Sequence, residues 1–383
     1  MALVHGSATA DATAGALHAL IIGVGGYPFL SGGSAEKKLP DLHDFGNPGQ
    51  LTSPPRSALA WVEAILDGRI TWRLPIGSVD LLVSPAPTTD DPEFPAADYE
   101  VPTHNAIVTA FEGWRLRCDS HPDNVALFVF IGHGLQAVDT LVLPADFGER
   151  GSNPWPQAFN MTKTRKGFER NAAKTQLFVV DACRTMPMAV IESPDAGVPA
   201  LAVPKTRQTV RWETDLTIYA ASNGERAHGP HRAPSYLTQA LLAGLRGGSA
   251  RQHRNAWRVS TNSLAYSLSE LMRIVGARHG QRVLPFNTGV EDWLVQVVEP
   301  TADLHVGCEP EAATASADLS WHHDKHPSRV REVRSAEQWV VQAVPAGFCR
   351  VEANFPEGDY ESEPKPLFVD PPKVDQLIPV QPT

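Results

Sequence analysis

The most informative stretch of this chain is LFVVDACRT, residues 177–185. Its first four residues form an uninterrupted apolar run with β-branched members, which predicts a buried strand. The run ends at Asp181, Ala182, Cys183 and Arg184, so an acid, a small residue, a thiol and a cation follow the strand directly. In open α/β sheets, sites lie at the carboxyl ends of the strands, and this stretch is therefore a candidate functional site.

A second predicted core strand also ends in reactive chemistry. The stretch NVALFVFIGHG, residues 124–134, places His133 between Gly132 and Gly134. If the two strands are neighbours, a thiol and an imidazole emerge at one edge of the sheet and can form a nucleophile–base pair. The imidazole would take the proton of Cys183, because a free thiol with a pKa near 8.5 is mostly protonated at neutral pH. Backbone N–H groups of Gly134 and Cys183 are candidates for binding a tetrahedral oxyanion.

The order of predicted elements indicates an α/β protein with an added all-β part. Strands and helices alternate through residue 300, which predicts three layers around a mostly parallel sheet over residues 17–300, preceded by an N-terminal tail at 1–16. A helix over 102–118 begins at Thr103, a predicted N-cap. From 301 to 383, short alternating stretches are separated by Pro, Gly and Glu, which predicts a small β-sandwich.

Composition narrows the function classes. The 383 residues are 42% hydrophobic and 20% charged, as in globular proteins, and the net charge of −10 argues against a nucleic-acid partner. The four cysteines are scattered and contain no CxxC pair, which argues against a disulfide scaffold and a thiolate zinc site. The sequence has no convincing signal peptide and no apolar run of about 20 residues, so we expect a cytoplasmic protein without a membrane partner.

Together, the two strand ends resemble the histidine and cysteine motifs of the caspase-like cysteine peptidases, which include caspases, metacaspases and paracaspases. The two motif residues lie 50 positions apart, as in that family. Further resemblance covers about residues 17–298, through ALIIGVGGY, PTHNAIVTAFEGW, IYAASNGERAHG and SYLTQALLAGL. The resemblance implies a caspase-like fold, with His133 and Cys183 cleaving a peptide bond through a thioester. It implies no cofactor and no metal for the chemistry, and nothing in the sequence indicates calcium dependence.

The acid two residues before the cysteine bears on substrate specificity. Caspases that cleave after Asp have Gln at this position, whereas metacaspases and paracaspases have Asp, as in this chain. A carboxylate at Asp181 would favour Arg or Lys before the scissile bond and oppose an acidic residue. Glu225 is a candidate second acid and Ser222 a candidate lining residue of the same pocket. The alternatives are that Asp181 only caps nearby backbone and that Glu225 is a solvated loop carboxylate.

Two further segments suggest regulation or metal binding. The proline-containing stretch at 186–213 follows the cysteine, where caspases carry an activation linker, and contains Lys205, Arg207 and Arg211. We expect either self-cleavage or an upstream protease to act there, with a plain surface loop as the alternative. The histidines of WHHDKH, residues 321–326, suggest a metal site, but a solvated loop is the better interpretation.

The sequence thus predicts a regulated cysteine endopeptidase or zymogen that acts on protein substrates. By family analogy, we expect a role in bacterial signalling or antiviral defence. Two alternatives stay open: an inactive scaffold of the same fold that binds a protein partner, and an acyltransferase with the same Cys–His chemistry.

Overall fold

The computed structural model describes residues 2–7, 13–39, 48–85, 99–186, 196–202, 211–277 and 281–383. The chain divides into two compact units, which are Met1–Leu242 with Met272–Leu294 and Ala243–Leu271 with Val295–Thr383. The helices in the described ranges are α1 (Ser53–Leu66), α2 (His104–Cys118), α3 (Met161–Phe168), α4 (Tyr236–Ala243) and α5 (Thr261–Ile274). None of these helices is long and apolar enough to cross a membrane.

The strands of the largest sheet all lie before residue 290, interspersed with several short strands. In chain order, the first ten strands are β1 (Leu3–Gly6), β2 (Leu17–Val24), β3 (Thr71–Trp72), β4 (Ile76–Ser84), β5 (Val125–Gly132), β6 (Gly134–Gln136), β7 (Thr140–Val142), β8 (Phe159–Asn160), β9 (Thr175–Ala182) and β10 (Thr214–Tyr219). They are followed by β11 (Arg251–His253), β12 (Ala256–Ser260), β13 (Leu284–Gly289) and β14 (Trp293–Val297).

A seven-stranded sheet in the order β1-β4-β2-β5-β9-β10-β13 forms the centre of the first unit. The five inner strands run parallel, and β1 and β13 close the two ends in antiparallel orientation. The predicted α/β fold with a mostly parallel sheet is confirmed. One correction concerns the N-terminus, because Leu3–Gly6 pairs with β4 although the sequence predicts a tail over residues 1–16. This strand has only two apolar residues and is mostly exposed, so its pattern is too short to be recognised.

An aromatic layer fixes the sheet against α2. Trp114 of this helix stacks on Phe168 with ring centroids 4.8 Å apart and contacts Phe178 of β9 edge-on. The helix begins as predicted, since Thr103 accepts a hydrogen bond from the N–H of Ala106. Side chains of a strand alternate between its two faces. Because Phe178 faces the aromatic layer, Asp181 faces the opposite side of the sheet.

The sequence predicts no element between residues 135 and 174, whereas the structure has a small sheet and a helix there. Strands β6, β7 and β8 pair in that order directly after His133, and α3 follows β8. The sequence of α3, MTKTRKGF, has few apolar residues and a glycine, which weakens its helical pattern. The small sheet matters for the site because β6 continues the chain from the histidine.

Two sheets form the β-sandwich part of the second unit. The strands of this region are β15 (Thr301–Glu309), β16 (Asp318–His323), β17 (His326–Val330), β18 (Trp339–Pro345), β19 (Gly347–Asn354), β20 (Tyr360–Glu361), β21 (Lys365–Val369), β22 (Lys373–Pro379) and β23 (Gln381–Pro382). Of these, β20 and β23 pair in a separate two-stranded sheet. The orders β18-β15-β22 and β17-β16-β19-β21 enclose an apolar core around Trp321. The predicted C-terminal β-structure is confirmed. The compact unit also contains residues 243–271, whereas the sequence suggests a boundary at residue 300.

The WHHDKH segment lies at the turn between β16 and β17. His322 contacts the hydroxyls of Ser320 and Ser328, and the rings of His323 and His326 are 4.7 Å apart. Within the described ranges, no group of three or more His, Cys, Asp or Glu side chains is arranged to hold a metal ion.

Candidate active site

Adjacent parallel strands bring the predicted histidine and cysteine to one edge of the sheet. In the pairing of β5 with β9, Ile131 lies opposite Asp181 and Gly132 opposite Ala182. His133 follows Gly132 and Cys183 follows Ala182. The two residues therefore stand at the same level at the ends of neighbouring strands. The register of this parallel pair therefore brings the histidine and cysteine motifs, which are 50 residues apart in the sequence, next to each other.

Gly134 allows the two strand ends to approach closely. A Cβ atom at this position would lie 2.7 Å from the Cβ of Ala182 and 2.8 Å from the carbonyl oxygen of Cys183. Since real Cβ atoms essentially never come so close, only glycine fits at this position without movement of the backbone. The segment that carries the histidine therefore packs directly against the backbone that carries the thiol.

The imidazole of His133 is oriented by a backbone carbonyl. Its Nε2 lies 2.8 Å from the oxygen of Gly49, and because a carbonyl can only accept, Nε2 carries the proton in the neutral ring. Nδ1 is then the proton-accepting nitrogen. Burial lowers the pKa of His133 from 6.5 to about 4, against the opposing effect of the Gly49 hydrogen bond. The ring is therefore a neutral base at neutral pH.

The thiol of Cys183 is half-buried and contacts the backbone of Ala227. The N–H of Ala227 donates to Sγ at 3.4 Å. Burial raises the pKa of the thiol, the Ala227 N–H and the charge of Arg226 lower it, and the charge of Asp181 raises it further. Burial is the largest of these effects, so the net pKa is raised. The resting pair is consequently a neutral thiol beside a neutral imidazole rather than a thiolate–imidazolium pair.

Asp181 is buried and accepts hydrogen bonds from two hydroxyl groups. Its Oδ2 accepts hydrogen bonds from the hydroxyls of Ser235 and Thr238, the latter at 3.2 Å. Ser235 also accepts from the N–H of Thr238 and thereby caps the start of α4. Burial raises the pKa of Asp181 from 3.8 to about 6, and the two hydroxyls lower it only in part. No Lys or Arg of the described ranges pairs with this carboxylate, although it is mostly ionised at neutral pH.

Arg184, the cation of the DACRT motif, packs against other side chains of the protein. The Arg184 guanidinium lies 4.3 Å from the ring centre of Tyr219 and donates two hydrogen bonds to Gln136 Oε1, at 2.7 and 3.0 Å. Its backbone binds the loop that follows β10, through Arg184 N–H to Glu225 O and Gly224 N–H to Arg184 O. Arg184 therefore ties that loop to the strand end beside Cys183.

Two other predicted site residues, Ser222 and Glu225, lie on this loop. Ser222 donates its hydroxyl proton to the Arg282 carbonyl at 3.4 Å, and its N–H lies 3.3 Å from Glu225 Oε2. The Glu225 side chain thus closes its own turn, whereas Asp181 faces α4. Among the cleavage candidates, Lys205 and Arg207 lie outside the described residues. Arg211 is exposed, and its N–H donates to the Glu169 carbonyl at 3.1 Å.

Sequence reasoning missed several residues that contact the site. These are Tyr27, which accepts a hydrogen bond from the His133 N–H, together with Gly49, Arg226, Ala227, Ser235 and Thr238. Tyr27 follows β2, and the rule that drew attention to the ends of β5 and β9 also applies to this strand. The Gly49 and Ala227 contacts use backbone atoms, which leave no signal in residue type.

The chain matches a family model and is similar to two proteins of known sequence. Residues 90–277 match the model of the caspase domain family. An uncharacterised protein of Sinorhizobium fredii (strain NBRC 101917 / NGR234) is 28% identical over 285 residues, which cover 70% of this chain and 81% of that protein. A probable protease of a Desulfuromonadales bacterium is 27% identical over 270 residues, and the match covers 68% of this chain but only 30% of that protein.

Among solved structures, the crystal structure of caspase-1 from Spodoptera frugiperda aligns with 78% of this chain and 97% of its own. The TM-score is 0.43 and the sequence identity 11%.

Proposed function

We propose that this chain is a caspase-like cysteine endopeptidase that cleaves proteins after arginine or lysine with Cys183 and His133. The match of residues 90–277 to the caspase domain family supports the proposal. The observation that carries the proposal is the pairing of β5 with β9, from which the two residues emerge side by side. The carbonyl of Gly49 supports it, since it leaves Nδ1 of the ring as the base.

On this proposal, acyl transfer proceeds in two steps. Sγ of Cys183 attacks the carbonyl carbon of the scissile bond while His133 Nδ1 takes the thiol proton. The same proton passes to the leaving amine when the C–N bond breaks, which leaves a thioester on Cys183. Water then attacks the thioester with Nδ1 again as base, and the carboxylic acid leaves with restoration of the thiol.

Backbone N–H groups of Gly134 and Cys183 would bind the oxyanion of each tetrahedral intermediate. The support is the close approach of Gly134 to the Cys183 carbonyl, which packs the backbone of Gly134 against the backbone of Cys183. Such donors act on charge that develops only in the transition state, and one of them typically contributes a factor of about 10²–10³. The Ala227 N–H, which already contacts Sγ, is a further donor near this atom.

The proposed preference for a basic residue is supported by the surroundings of Asp181, because no Lys or Arg in the described part of the chain pairs with this carboxylate. A buried carboxylate with two hydroxyl donors and no cation has a raised pKa, which means that its ionised form lacks stabilisation. A guanidinium or ammonium group of the substrate would supply that stabilisation. Ser222 and Glu225 would contribute to the same pocket only through their loop, since Glu225 Oε2 caps its own turn.

Regulation through the segment 186–213 follows from the same specificity. Lys205, Arg207 and Arg211 are residues after which such an enzyme would cut, either in its own chain or through an upstream protease of similar preference. The neutral thiol–imidazole pair is consistent with a resting state of low reactivity. Replacing all three residues with glutamine would prevent both the cleavage and the activation; unchanged activity and an unchanged gel pattern would refute this part.

The decisive experiment uses fluorogenic peptides with Arg, Lys, Asp or Gln before the bond, with wild type, Cys183→Ala and His133→Ala. We expect cleavage of the Arg and Lys peptides by wild type alone. Cleavage after Asp would retain the peptidase and refute the role of Asp181. If the intact chain is silent, the assay is repeated after limited proteolysis with a protease that is then inhibited. Labelling of Cys183 by a thiol probe without any cleavage would favour the acyltransferase or the inactive scaffold.

A further inference from the structure

Tyr27 is buried against the catalytic histidine and takes no part in the proposed bond-making steps. Its side chain has no exposed surface, and its ring centroid lies 4.8 Å from that of His133 at an interplanar angle of 45°. Its Oη accepts the backbone N–H of His133 at 2.8 Å. This N–H follows directly after Gly132, the last residue of β5 that pairs with β9.

The glycine before the histidine makes room for the phenol. A Cβ atom on Gly132 would lie 2.8 Å from Tyr27 Oη, closer than a methyl group tolerates. The next atoms, from Phe130 and Val24, lie at 3.2 Å. The first glycine of the GHG motif therefore admits the hydroxyl, whereas the second, Gly134, admits the cysteine strand.

A single residue links the tyrosine to the other anchor of the histidine. Gln50 accepts the N–H of Tyr27 at 2.8 Å and donates to the Tyr27 carbonyl at 2.9 Å, so it fixes the backbone of Tyr27 on both sides. The residue before it, Gly49, holds Nε2 of His133. The turn before Tyr27 is fixed as well, since Gly25 and Gly26 both donate to the Ser84 carbonyl.

We propose that Tyr27 is a positioning residue that holds the backbone of His133 so that its ring meets the Gly49 carbonyl and presents Nδ1 to the thiol. The histidine is thus fixed at its N–H by Tyr27 and at its ring by Gly49, and Gln50 keeps these two anchors together. Burial raises the pKa of the Tyr27 hydroxyl, so the phenol stays neutral at working pH. The inference rests on the proposed peptidase function for its kinetic test, but its structural test does not.

The test variant is Tyr27→Phe, which keeps the buried ring and removes only the acceptor. Misplacement of a base by a fraction of an ångström to 1 Å is costly, so we expect kcat on Arg peptides to fall about 10- to 100-fold with KM changed less than about threefold. Tyr266→Phe makes the same chemical change on a ring that is 83% exposed and serves as the matched control. Unchanged kcat in a folded Tyr27→Phe variant would overturn the inference.

A double-mutant cycle distinguishes loss of the Tyr27 contact from a nonspecific effect on the fold. Gly132→Ala alone forces its methyl group against Tyr27 Oη and should lower kcat. In the Tyr27→Phe background that oxygen is absent, so the same alanine should lower kcat by a factor at least about threefold smaller. An equal loss of kcat in the two backgrounds would show that the glycine does not serve the phenol and would contradict the proposal.

A substrate-free measurement separates this inference from the peptidase function. Nitrogen-15 NMR of the His133 ring should show one Nε2-protonated tautomer in wild type and a mixture of tautomers in Tyr27→Phe. If wild type cleaves no peptide, the peptidase proposal fails while the tautomer result still decides the role of Tyr27. A single, unchanged tautomer in the variant would overturn that role even in an active enzyme.

Discussion

Replacing Asp181 with asparagine tests the specificity argument with little change in shape. The carboxylate has a pKa of about 6 instead of 3.8 because burial is only partly offset by Ser235 and Thr238. If a bound guanidinium returns this pKa to 3.8, the shift of about 2 units corresponds to about 3 kcal/mol of coupling between the ionised carboxylate and the substrate cation. Asp181→Asn should therefore lower kcat/KM for Arg peptides about 100-fold.

The pH dependence gives a second measurement on the same variant. In wild type, kcat/KM for Arg peptides should fall as the pH drops through about 6, where Asp181 becomes protonated. In Asp181→Asn the decrease of kcat/KM near pH 6 should disappear. Only the decrease near pH 4, where His133 becomes protonated, should remain. Retained cleavage of Arg peptides, or a limb at pH 6 that persists in the variant, would refute the assignment of Asp181 to the substrate pocket.

Stability provides the control, because it should change in the opposite direction. A carboxyl whose pKa is raised on folding stabilises the protein below its unfolded pKa, and this stabilisation is lost as the pH rises through about 6. Above that pH the ionised group costs up to about 3 kcal/mol, and asparagine avoids the cost. Asp181→Asn should thus unfold at a higher temperature at neutral pH than wild type, so a loss of cleavage in it is not a loss of fold.

Two further predictions concern the thiol and the sheet. Burial raises the pKa of the Cys183 thiol, and the neighbouring imidazole is neutral. Iodoacetamide should therefore label Cys183 at a rate that still rises with pH beyond about 8.5, in wild type and in His133→Gln alike. A rate that reaches a plateau below about pH 7 would contradict this prediction. Burial also raises the pKa of Asp80, but this carboxylate forms a buried ion pair with Arg117. Asp80→Asn leaves the buried guanidinium without this counter-charge, so it should lower the free energy of unfolding by about 3–5 kcal/mol, measured with urea. Glu112→Gln, in an exposed pair, should lower it by less than about 1 kcal/mol, and equal effects would refute the distinction.

The sequence predicted those parts of the site that depend on local pattern and strand order. Apolar runs located β5 and β9, and the rule for parallel strands then placed His133 and Cys183 together. The sequence could not reveal that Gly49 orients the imidazole, because that contact uses a backbone oxygen of a loop 84 positions away. The partners of Asp181 lie 54 and 57 positions along the chain, and they contact it only because α4 packs on the other face of the sheet.

If Asp181 binds a basic substrate as proposed, the charges around Cys183 would connect recognition of that substrate to reactivity of the thiol. After burial, which is the main cause of its raised pKa, Asp181 raises the pKa of the thiol further, whereas Arg226 lowers it. A substrate guanidinium bound to Asp181 would cancel the negative charge that raises the pKa of the thiol, while the favourable charge of Arg226 remains. An Arg substrate should therefore have a higher kcat as well as a lower KM. A neutral residue in the same position leaves the charge in place. Asp181→Asn separates the two effects, because the thiol should react with iodoacetamide at least as fast as in wild type while cleavage after arginine is lost.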